Sequence, residues 1–363
     1  MSKNKNTVAV GLSGGVDSSV AAALLQKSGY SVMGVSMMIY DGALAIEEDV
    51  RHACYGPGEQ EDIAAAESVC EKLGIPFYTI DLRKEYHHHV INHFRNEYLE
   101  GKTPNPCIIC NQRLKFGFLL ERAKETGLAF EFFATGHYAR IDKSRGHYLL
   151  KSAIDESKDQ SYFLYALTPG QLSKTLFPLG GLTKYNVRKI GRSLGLTTAD
   201  RPESQDFIAG GDYSLLFNEK EIKKGSIVDE CGNFLGTHRG IVHYTIGQRR
   251  GLGIAAQRPL YVTKIDAPNN LIVVSDRKAL LSSGLIVKDI NLIAIDRLDR
   301  PYPLKVKIRL NQTAVDATVS PDLNGKLKIL FNKPQSSVCP GQHAVFYAED
   351  VVVGGGVIQE AIL

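Results

Sequence analysis

The sequence has little of what marks membrane, secreted or strongly charged proteins. No stretch approaches the about 18 uncharged apolar residues of a transmembrane helix, and the polar segment Met1–Thr7 argues against a signal peptide. Six cysteines among 363 residues are too few for a disulfide scaffold. The net charge of +4 is too small to identify a nucleic-acid partner by itself. We therefore expect a cytoplasmic protein, without a membrane partner, whose reduced thiols serve as metal ligands or nucleophiles.

The first two hundred residues alternate short apolar runs with helical patterns. Strands are predicted at Thr7–Leu12, Ser31–Met38 and Phe132–Thr135, with helices at Ser18–Lys27, Glu61–Leu73 and Arg113–Thr126. Strands that alternate with helices of this length indicate βαβ units and a parallel sheet. The sequence therefore predicts an α/β N-terminal domain over residues 1–212.

Beyond Tyr213 the composition changes to Gly, Val, Ile and Thr, with turn pairs such as Asn324–Gly325. Segments such as Lys305–Arg309 alternate charged and apolar residues with a period of two, as strands of small barrels do. The run Val351–Val357 is interpreted as a closing strand with a bulge. We expect a small β-rich central domain over 213–280 and a C-terminal β-barrel over 284–363.

A glycine-rich loop, GLSGGVDSS at residues 11–19, lies between the first strand and the first helix. Gly14 and Gly15 allow a tight turn whose N–H groups point inward as an anion nest, and the helix that follows adds the positive end of its dipole. The loop lacks the lysine of GxxxxGK[ST] and does not have the spacing of GxGxxG. A phosphate site is therefore expected here, although glycine pairs also make ordinary turns.

The same loop carries polar side chains that suit a nucleotide. Ser13 and Ser18 can donate hydroxyl hydrogen bonds, and Asp17 is placed to hold Mg²⁺ or a group that faces the substrate. The stretch Ser-Gly-Gly-Val-Asp-Ser resembles the PP-loop of the N-type ATP pyrophosphatases. That resemblance implies cleavage of ATP to AMP and pyrophosphate.

A pair of cysteines, Cys107 and Cys110, follows two prolines that we expect to hold an extended loop. C-x-x-C spacing suits a metal or cluster, or a redox pair at a helix start, and it also arises from two incidental buried cysteines. Cys54, in a turn-rich segment, is the leading candidate for a third ligand. The remaining cysteines are interpreted as structural: Cys70, Cys231 and Cys339.

Two windows of the chain are locally basic, each with an excess of four positive charges, at Lys184–Arg201 and His238–Arg258. Such an excess suits contact with a phosphate backbone, or is simply a solvated face. The histidines His87–His89 and His93 are interpreted as an exposed helix face and not as a zinc site, because no nearby side chain completes one.

Several motifs in order along the chain resemble the tRNA-specific 2-thiouridylases. Besides the PP-loop they are Pro-Asn-Pro-x-x-x-Cys-Asn at 104–111, Thr-Gly-His-Tyr-Ala at 135–139, Lys-Asp-Gln-Ser-Tyr-Phe at 158–163, Glu-Ser-Gln at 203–205, Tyr-Thr-Ile-Gly-Gln at 244–248 and Pro-Gly-Gln at 340–342. The resemblance runs from about Thr7 to Gln359. It implies a PP-loop domain, a small central domain and a C-terminal β-barrel. It also implies ATP-dependent replacement of the 2-oxygen of the wobble uridine, U34, by sulfur.

The resemblance assigns roles to residues by their position in these motifs. It implies that Cys110 is the nucleophile and that the target base is held by Asn105, Pro106 and Cys107. It implies that ATP is bound by Gly11, Leu12, Ser13, Gly14, Gly15, Val16, Asp17, Ser18, Met37 and Gly136. It implies that the anticodon region of tRNA contacts His137, Lys158, Asp159, Gln160, Arg309, Leu310 and Gln342.

One departure from the family pattern concerns sulfur delivery. Many members carry a second catalytic cysteine shortly after Ser-Gln, whereas this chain has Asp206-Phe-Ile-Ala209 there, with no cysteine. We therefore expect Cys54, Cys107 and Cys110 to hold a [4Fe–4S] cluster whose fourth iron binds sulfide. The alternative is a persulfide on Cys110. The sulfur donor would be sulfide or a persulfide carrier protein.

Either route needs the same activation, because the C2 oxygen of uridine is a poor leaving group. Adenylation converts it into AMP, with Mg²⁺ and backbone amides offsetting the phosphate charge. Two other functions stay open on the sequence: a PP-loop ligase or amidotransferase acting on a small molecule, such as an argininosuccinate synthase-like enzyme, and a tRNA-binding protein without catalytic activity.

Overall fold

The structure is a computed structural model that describes residues 6–44, 53–144, 146–202 and 206–363. The chain forms two compact units. The first unit comprises Met1–Val90, Cys107–Asp212 and Asp350–Val352, and the second comprises Ile91–Pro106, Tyr213–Glu349 and Val353–Leu363. Among the described residues, no helix combines the length and the apolar character needed to span a membrane.

The strands, in chain order, are β1 (Thr7–Gly11), β2 (Ser31–Met38), β3 (Ala53–Tyr55), β4 (Phe77–Asp81), β5 (Phe132–Thr135), β6 (Ala139–Ser144), β7 (His147–Ser152), β8 (Thr175–Leu176), β9 (Asp206–Ile208), β10 (Gly225–Val228), β11 (Phe234–His238), β12 (Tyr261–Asp266), β13 (Leu271–Ser275), β14 (Leu281–Leu292), β15 (Tyr302–Lys307), β16 (Val315–Pro321), β17 (Leu327–Ser336), β18 (His343–Ala348) and β19 (Val351–Ile362).

The α-helices are α1 (Val16–Lys27), α2 (Glu59–Leu73), α3 (Arg83–Tyr86), α4 (Asn92–Leu99), α5 (Pro106–Ile109), α6 (Leu119–Glu125), α7 (Ser161–Leu164), α8 (Pro169–Leu172) and α9 (Lys184–Ser193). Two segments are π-helical, His87–Ile91 and Cys110–Phe118. Short 3₁₀ turns lie at Thr197–Asp200, Tyr213–Leu216, Ile241–His243, Arg277–Leu280 and Leu323–Gly325.

The first unit is built on a five-stranded parallel sheet in the order β4-β2-β1-β5-β8. The predicted strands Ser31–Met38 and Phe132–Thr135 are confirmed to the residue. Helix α1 is buried along almost its whole length, because its small side chains let neighbouring elements approach closely. Gly191 of α9 shows this: a Cβ there would lie 3.1 Å from a methyl carbon of Val16. The predicted α/β class of this part is thus confirmed.

Two further pairs of strands in the first unit have no counterpart in the sequence-based prediction. Strands β6 and β7 form an antiparallel hairpin. Strand β3 pairs in parallel with β9, with Ala53 opposite Asp206 and Tyr55 opposite Ile208. Cys54 therefore lies on a strand and not in a turn-rich loop, because hydrogen bonding to a distant segment fixes its backbone.

The second unit contains a β-sheet and a β-barrel, in which most neighbouring strands are antiparallel. A four-stranded sheet has the order β11-β10-β13-β12. Six strands in the order β14-β17-β16-β15-β18-β19 form a barrel that is closed by pairing of β19 with β14. The predicted closing strand is confirmed as β19, whose register against β14 shifts between Lys288 and Asn291. A Cβ on Gly354 or Gly356 would overlap the carbonyl oxygen of Asn291 or Lys288, respectively, so this stretch of β19 needs glycine. The barrel interior is filled by branched and aromatic side chains such as Val306, Ile329 and Phe346.

Candidate active site

The implied ATP-binding residues lie at the carboxyl ends of neighbouring strands, or in the loop and first helical turn that follow β1. Gly11 ends β1, Met37 lies at the end of β2, and Gly136 follows β5. The chain leaves β1 towards β2 on one side, whereas β5 pairs with its other side. In open α/β sheets, ligands bind in the crevice at such a change of direction. The topology therefore brings the glycine-rich loop to the position where a nucleotide is expected.

The loop is held in shape by its own side chains. Gly14 has a φ of 68°, and a Cβ there would overlap the backbone carbonyl of Asp62, so only glycine fits. The Oγ of Ser18 accepts a hydrogen bond from the backbone N–H of Ser13 at 3.2 Å. Gly15 is the N-cap of α1 in an extended conformation, and the first N–H groups of a helix have no partners within it. This arrangement suits an anion.

Gly136 is needed for close packing at the same site. A Cβ on Gly136 would lie 2.5 Å from the backbone nitrogen of Ser18 and 2.7 Å from the carbonyl carbon of Asp17. Because both neighbours are backbone atoms, they cannot rotate away. The segment after β5 therefore lies directly against the first turn of α1.

Asp17 is bound by two side chains that sequence reasoning did not connect with it. The Nζ of Lys184 lies 2.8 Å from Oδ1 and 2.7 Å from Oδ2 of Asp17, and the hydroxyl of Tyr138 donates to Oδ1 at 2.9 Å. The Lys184 side chain is only 12% exposed, and its ammonium group lies 5.8 Å from the centre of the Tyr138 ring. Both oxygens of the carboxylate that was expected to hold Mg²⁺ are thus engaged by a lysine.

Several cations of the first basic window, Lys184–Arg201, have partners within the protein. Arg201 donates to the carbonyl of Gly14 at 2.8 Å and forms an ion pair with Asp62 at 2.9 Å. Arg188 donates to the carbonyl of Ala199, and Arg192 pairs with Asp200. Lys184, Arg188 and Arg201 thus have partners within the first unit, whereas Lys189 and Arg192 are exposed. Contact of this window with an RNA backbone stays a prediction.

The cysteine pair lies on a helix and not on an extended loop. Pro106 begins α5, a position where its missing N–H costs nothing, so the helix starts earlier than the sequence predicted. Cys107 lies in α5 and Cys110 begins the π-helical segment. π-helical turns occur often at functional sites.

Three thiols and a lysine interact electrostatically in the first unit. Burial, together with the neighbouring Cys54 and Cys110, raises the pKa of Cys107 to about 12. Burial also raises the pKa of Cys110 to about 11, against the opposing effect of Lys115. Burial lowers the pKa of Lys115, but the same three cysteines raise it above its usual value. In this state Cys110 is therefore a thiol at neutral pH, beside a cation that would stabilise its anion.

The proximity of the three thiols does not amount to a metal site. In the part of the chain that the structure describes, no three His, Cys, Asp or Glu side chains are arranged to hold a metal ion. The thiols influence one another without converging as cluster ligands do. The residues as placed do not fit a preformed [4Fe–4S] cluster.

Cys70 and Cys339 are both buried, as expected of structural cysteines. Cys231 is exposed and lies in the turn between β10 and β11, where its N–H donates to the carboxylate of Asp229 at 2.9 Å. The Glu203–Gln205 motif lies outside the described residues.

The loop that leads to the target-base residues is anchored within the second unit. The side-chain amide of Gln342 donates to the carbonyls of Thr103 and Pro104 at 2.9 and 3.2 Å. The N–H of Thr103 donates to the carbonyl of Pro340 at 2.8 Å. Gln342, expected to contact tRNA, therefore positions the segment that continues into Asn105 and Pro106.

Several other residues expected to contact tRNA form hydrogen bonds within the protein or are buried. The carboxylate of Asp159 accepts from the N–H groups of Ala153 and Ser161, and the side chain of Gln160 accepts from the N–H of Tyr138. Burial, with Lys115 nearby, holds the pKa of His137 well below its usual value, so this ring is neutral.

Three more of the residues expected to contact tRNA are at least partly exposed. Lys158 is partly exposed, and so is Leu310. Arg309 is exposed in the second unit, where it donates to the carbonyl of Ser336 at 2.7 Å. Of the expected tRNA residues, Lys158 and Arg309 are thus the two that carry a positive charge.

Comparison with known proteins finds similarity along almost the whole chain. Three family models match in succession: one described as tRNA methyl transferase HUP domain over residues 6–209, one as tRNA methyl transferase PRC-barrel domain over 215–276, and one as Aminomethyltransferase beta-barrel domain over 282–358. A solved 4-thiouridine synthetase–RNA complex with bound ATP is a more distant likeness, with 15% identity and a TM-score of 0.33 over 56% of this chain and 46% of that chain.

Curated relatives are much closer. The tRNA-specific 2-thiouridylase MnmA of Acetivibrio thermocellus is 46% identical over 366 residues, which cover 99% of this chain and 100% of that protein. The protein of the same name from Clostridium perfringens is 42% identical over 99% of both chains. With this identity over nearly its full length, the chain belongs to the tRNA-specific 2-thiouridylase family.

Proposed function

We propose that this protein catalyses the ATP-dependent 2-thiolation of the wobble uridine, U34, of tRNA. The observation that carries the proposal is the conjunction of an ATP-type anion loop at the switch point of a parallel sheet with a cluster of thiols in the same unit. Membership of the 2-thiouridylase family gives the substrate class. Descriptions of the matching family models mention methyl transfer, but a phosphate loop and thiols suit adenylation and sulfur transfer.

The first half-reaction is adenylation of the uridine at its C2 oxygen. Residues 11–18 would receive the phosphates through backbone N–H groups at the start of α1, with Met37 and Gly136 lining the same crevice. The C2 oxygen attacks the α-phosphorus, the bond to the β-phosphate breaks, and pyrophosphate leaves. Mg²⁺, a cation that is typically held by one or two carboxylates together with phosphate oxygens, would offset charge on the phosphates, with Asp17 as its candidate ligand.

The second half-reaction is proposed to use Cys110 as a persulfide. Its terminal sulfur attacks C2, and AMP leaves with the electron pair of the C2–oxygen bond. The resulting bond between the base and Cys110 is a disulfide, and a second thiolate must attack the Cys110 sulfur to release 2-thiouridine. A thiol reductant then reduces the protein disulfide that remains.

Cys54 is the proposed second thiol. Its strand, β3, pairs with β9, which follows the Ser-Gln motif and lacks the cysteine expected there. Cys54 also affects the pKa of Cys110, so the two side chains lie within electrostatic range. A cysteine from another segment would thus replace the missing one.

The partners follow from this chemistry. We propose that Lys158, Arg309 and the target-base segment Asn105–Cys107 contact the anticodon region of tRNA. We propose that a persulfide carrier protein transfers its outer sulfur to Cys110, because sulfide is already fully reduced and could serve as the donor only on the cluster route. The place of action proposed is the cytoplasm. The domain boundaries 212/213 and 280/284 are proposed with it, and limited proteolysis would test them.

The release of AMP tests the proposal against its alternatives. Purified protein is incubated with ATP, Mg²⁺ and either a tRNA transcript with U34 or the same transcript with C34. We expect AMP and pyrophosphate only with U34. Release without any tRNA would favour a small-molecule ligase, and tight binding of tRNA without release would favour a non-catalytic protein.

The role of Cys54 has its own test. With a persulfide-loaded protein, Cys54→Ser should stop turnover after one event and accumulate a tRNA–protein adduct that dithiothreitol releases. Cys231→Ser, which removes an exposed cysteine of the second unit, should behave as wild type. If a cluster operates instead, Cys54→Ser would lose iron absorbance after reconstitution and form no adduct.

A further inference from the structure

The PP-loop of this chain contains no lysine, although the triphosphate of ATP carries several negative charges. Backbone N–H groups and a helix dipole offset only part of such a charge. Among the residues of the first unit that the structure describes, Arg201 and Lys184 are two cations that contact the loop or the first turn of α1. Arg201 donates to the Gly14 carbonyl and forms an ion pair with the Asp62 carboxylate, and both contacts stabilise the conformation of the loop.

Lys184 is differently placed. Its ammonium group contacts both oxygens of Asp17, which lies in the first turn of α1 beside the glycine pair. It is the first residue of α9, whose N-cap Thr183 accepts a hydrogen bond from the N–H of Asn186. Its own backbone N–H donates to Asp155 at 2.9 Å. The backbone of Lys184 is therefore fixed, while its long side chain reaches the phosphate site.

We propose that Lys184 is a phosphate-binding residue for ATP, held at the loop by Asp17 until the nucleotide arrives. This inference rests on the proposed use of ATP. The ammonium group would move from the carboxylate to phosphate oxygens and would neutralise pyrophosphate as the α–β bond breaks. Asp17 is then first a positioning residue for Lys184, and its oxygens become available to Mg²⁺ only when the lysine leaves.

A phosphate-binding role for Lys184 can be distinguished from a structural one by comparing the affinity for a nucleotide with the affinity for its nucleoside, which has no phosphates. The probes are α,β-methylene ATP, which cannot be cleaved at the reacting bond, and adenosine, measured by calorimetry without tRNA. We expect Lys184→Met to weaken binding of the analogue by about 10- to 100-fold, the value of a charged hydrogen bond, and to change adenosine binding less than about twofold. Lys184→Arg should recover part of the loss.

Two further variants keep the test decisive. Lys27→Ala, which removes an exposed lysine at the other end of α1, should bind both probes as wild type does. The double variant Asp17→Asn/Lys184→Met removes both charges of the Asp17–Lys184 pair, so neither is left without its partner and the protein should fold. We expect this variant to bind the analogue no better than Lys184→Met does. Recovery of wild-type affinity in the double variant would show that Lys184 only neutralises Asp17.

Unchanged affinity for the analogue in Lys184→Met, with a lower melting temperature, would also overturn the inference and leave Lys184 as a link between α9 and α1. Failure of the wild type to bind either probe would instead contradict the proposed use of ATP. Binding of both probes by wild type with no discrimination by Lys184→Met would contradict this inference alone.

Discussion

Gly15 offers a substitution for which stability and ATP binding should respond differently. A Cβ on Gly15 would meet only the Ser13 Oγ, at 3.8 Å, and its φ of −96° and ψ of 164° are accessible to alanine. Replacing glycine by alanine in an allowed conformation stabilises a protein by about 0.4–1 kcal/mol. Glycine is, however, a better N-cap than alanine by a comparable amount, on the order of 0.5–1 kcal/mol. The two effects offset each other.

Gly15→Ala should therefore shift the melting temperature by no more than about 2 °C, since about 1 kcal/mol corresponds to 2–4 °C for a domain of this size. The same methyl group would occupy space that a phosphate needs in order to reach the N–H groups of the loop. Loss of one charge-assisted hydrogen bond costs about 1.5–3 kcal/mol, which is roughly a 10- to 100-fold loss of affinity. The assay is calorimetric binding of α,β-methylene ATP beside a thermal melt.

Two matched variants complete the design. Gly14→Ala should lower the melting temperature, because a positive φ costs alanine roughly 1–2 kcal/mol and its Cβ would overlap the Asp62 carbonyl. Gly181→Ala, where a Cβ meets nothing within 4 Å, should change neither property. Wild-type affinity for the analogue in a stable Gly15→Ala protein would refute the assignment of this loop to the phosphates.

Three further outcomes are expected. In cluster-free protein, alkylation of Cys110 by iodoacetamide should accelerate up to a pH of about 11, because burial raises the pKa of this thiol, and Lys115→Met should slow it at neutral pH; a plateau near pH 8 would contradict this. Burial lowers the pKa of His343 to about 3, so the stability that its neutral ring provides is present above about pH 6.5 and is lost as the pH falls towards 3. The loss should reach about 5 kcal/mol, and urea unfolding at several pH values should show a smaller loss in His343→Gln. Gln342→Ala should reduce thiolation while leaving binding of α,β-methylene ATP unchanged, since it releases the Thr103 and Pro104 carbonyls.

Much of the fold was predictable because local pattern and tertiary role agree. Strand β2 and strand β5 are apolar runs bounded by turns, and both appear at their predicted limits. Helix α6 and the segments before it were predicted only from Arg113 onwards, because the two prolines suggested an extended loop. Pro106 instead begins the helix, which places Cys107 and Cys110 on helical backbone.

The site was predictable as a set of motifs but not as a set of contacts. The glycine-rich loop and Gly136 are recognisable in the sequence, and the structure brings them together at one edge of the sheet. The pairing of Asp17 with Lys184 joins residues 167 positions apart, and no spacing rule connects them. Lys184 was instead interpreted as part of a basic window, because charge along the sequence does not reveal which cations have internal partners. The pairing of β3 with β9, which places Cys54, is hidden for the same reason.

The central claim is that this protein places sulfur on C2 of the wobble uridine at the expense of ATP. The most direct measurement is nucleoside mass spectrometry of unmodified tRNA after anaerobic incubation with the protein, ATP, Mg²⁺ and a sulfur donor, which is sulfide in one set and a persulfide-loaded carrier protein in the other. One sample is reconstituted with iron and sulfide beforehand and one is not. We expect 2-thiouridine, only when ATP is present, in a U34 transcript and none in its C34 counterpart. Product without reconstitution, from the persulfide donor, would agree with the persulfide route, and product after reconstitution alone would point to a cluster. Uridine left unchanged in both, with no tRNA-dependent AMP, would contradict the account.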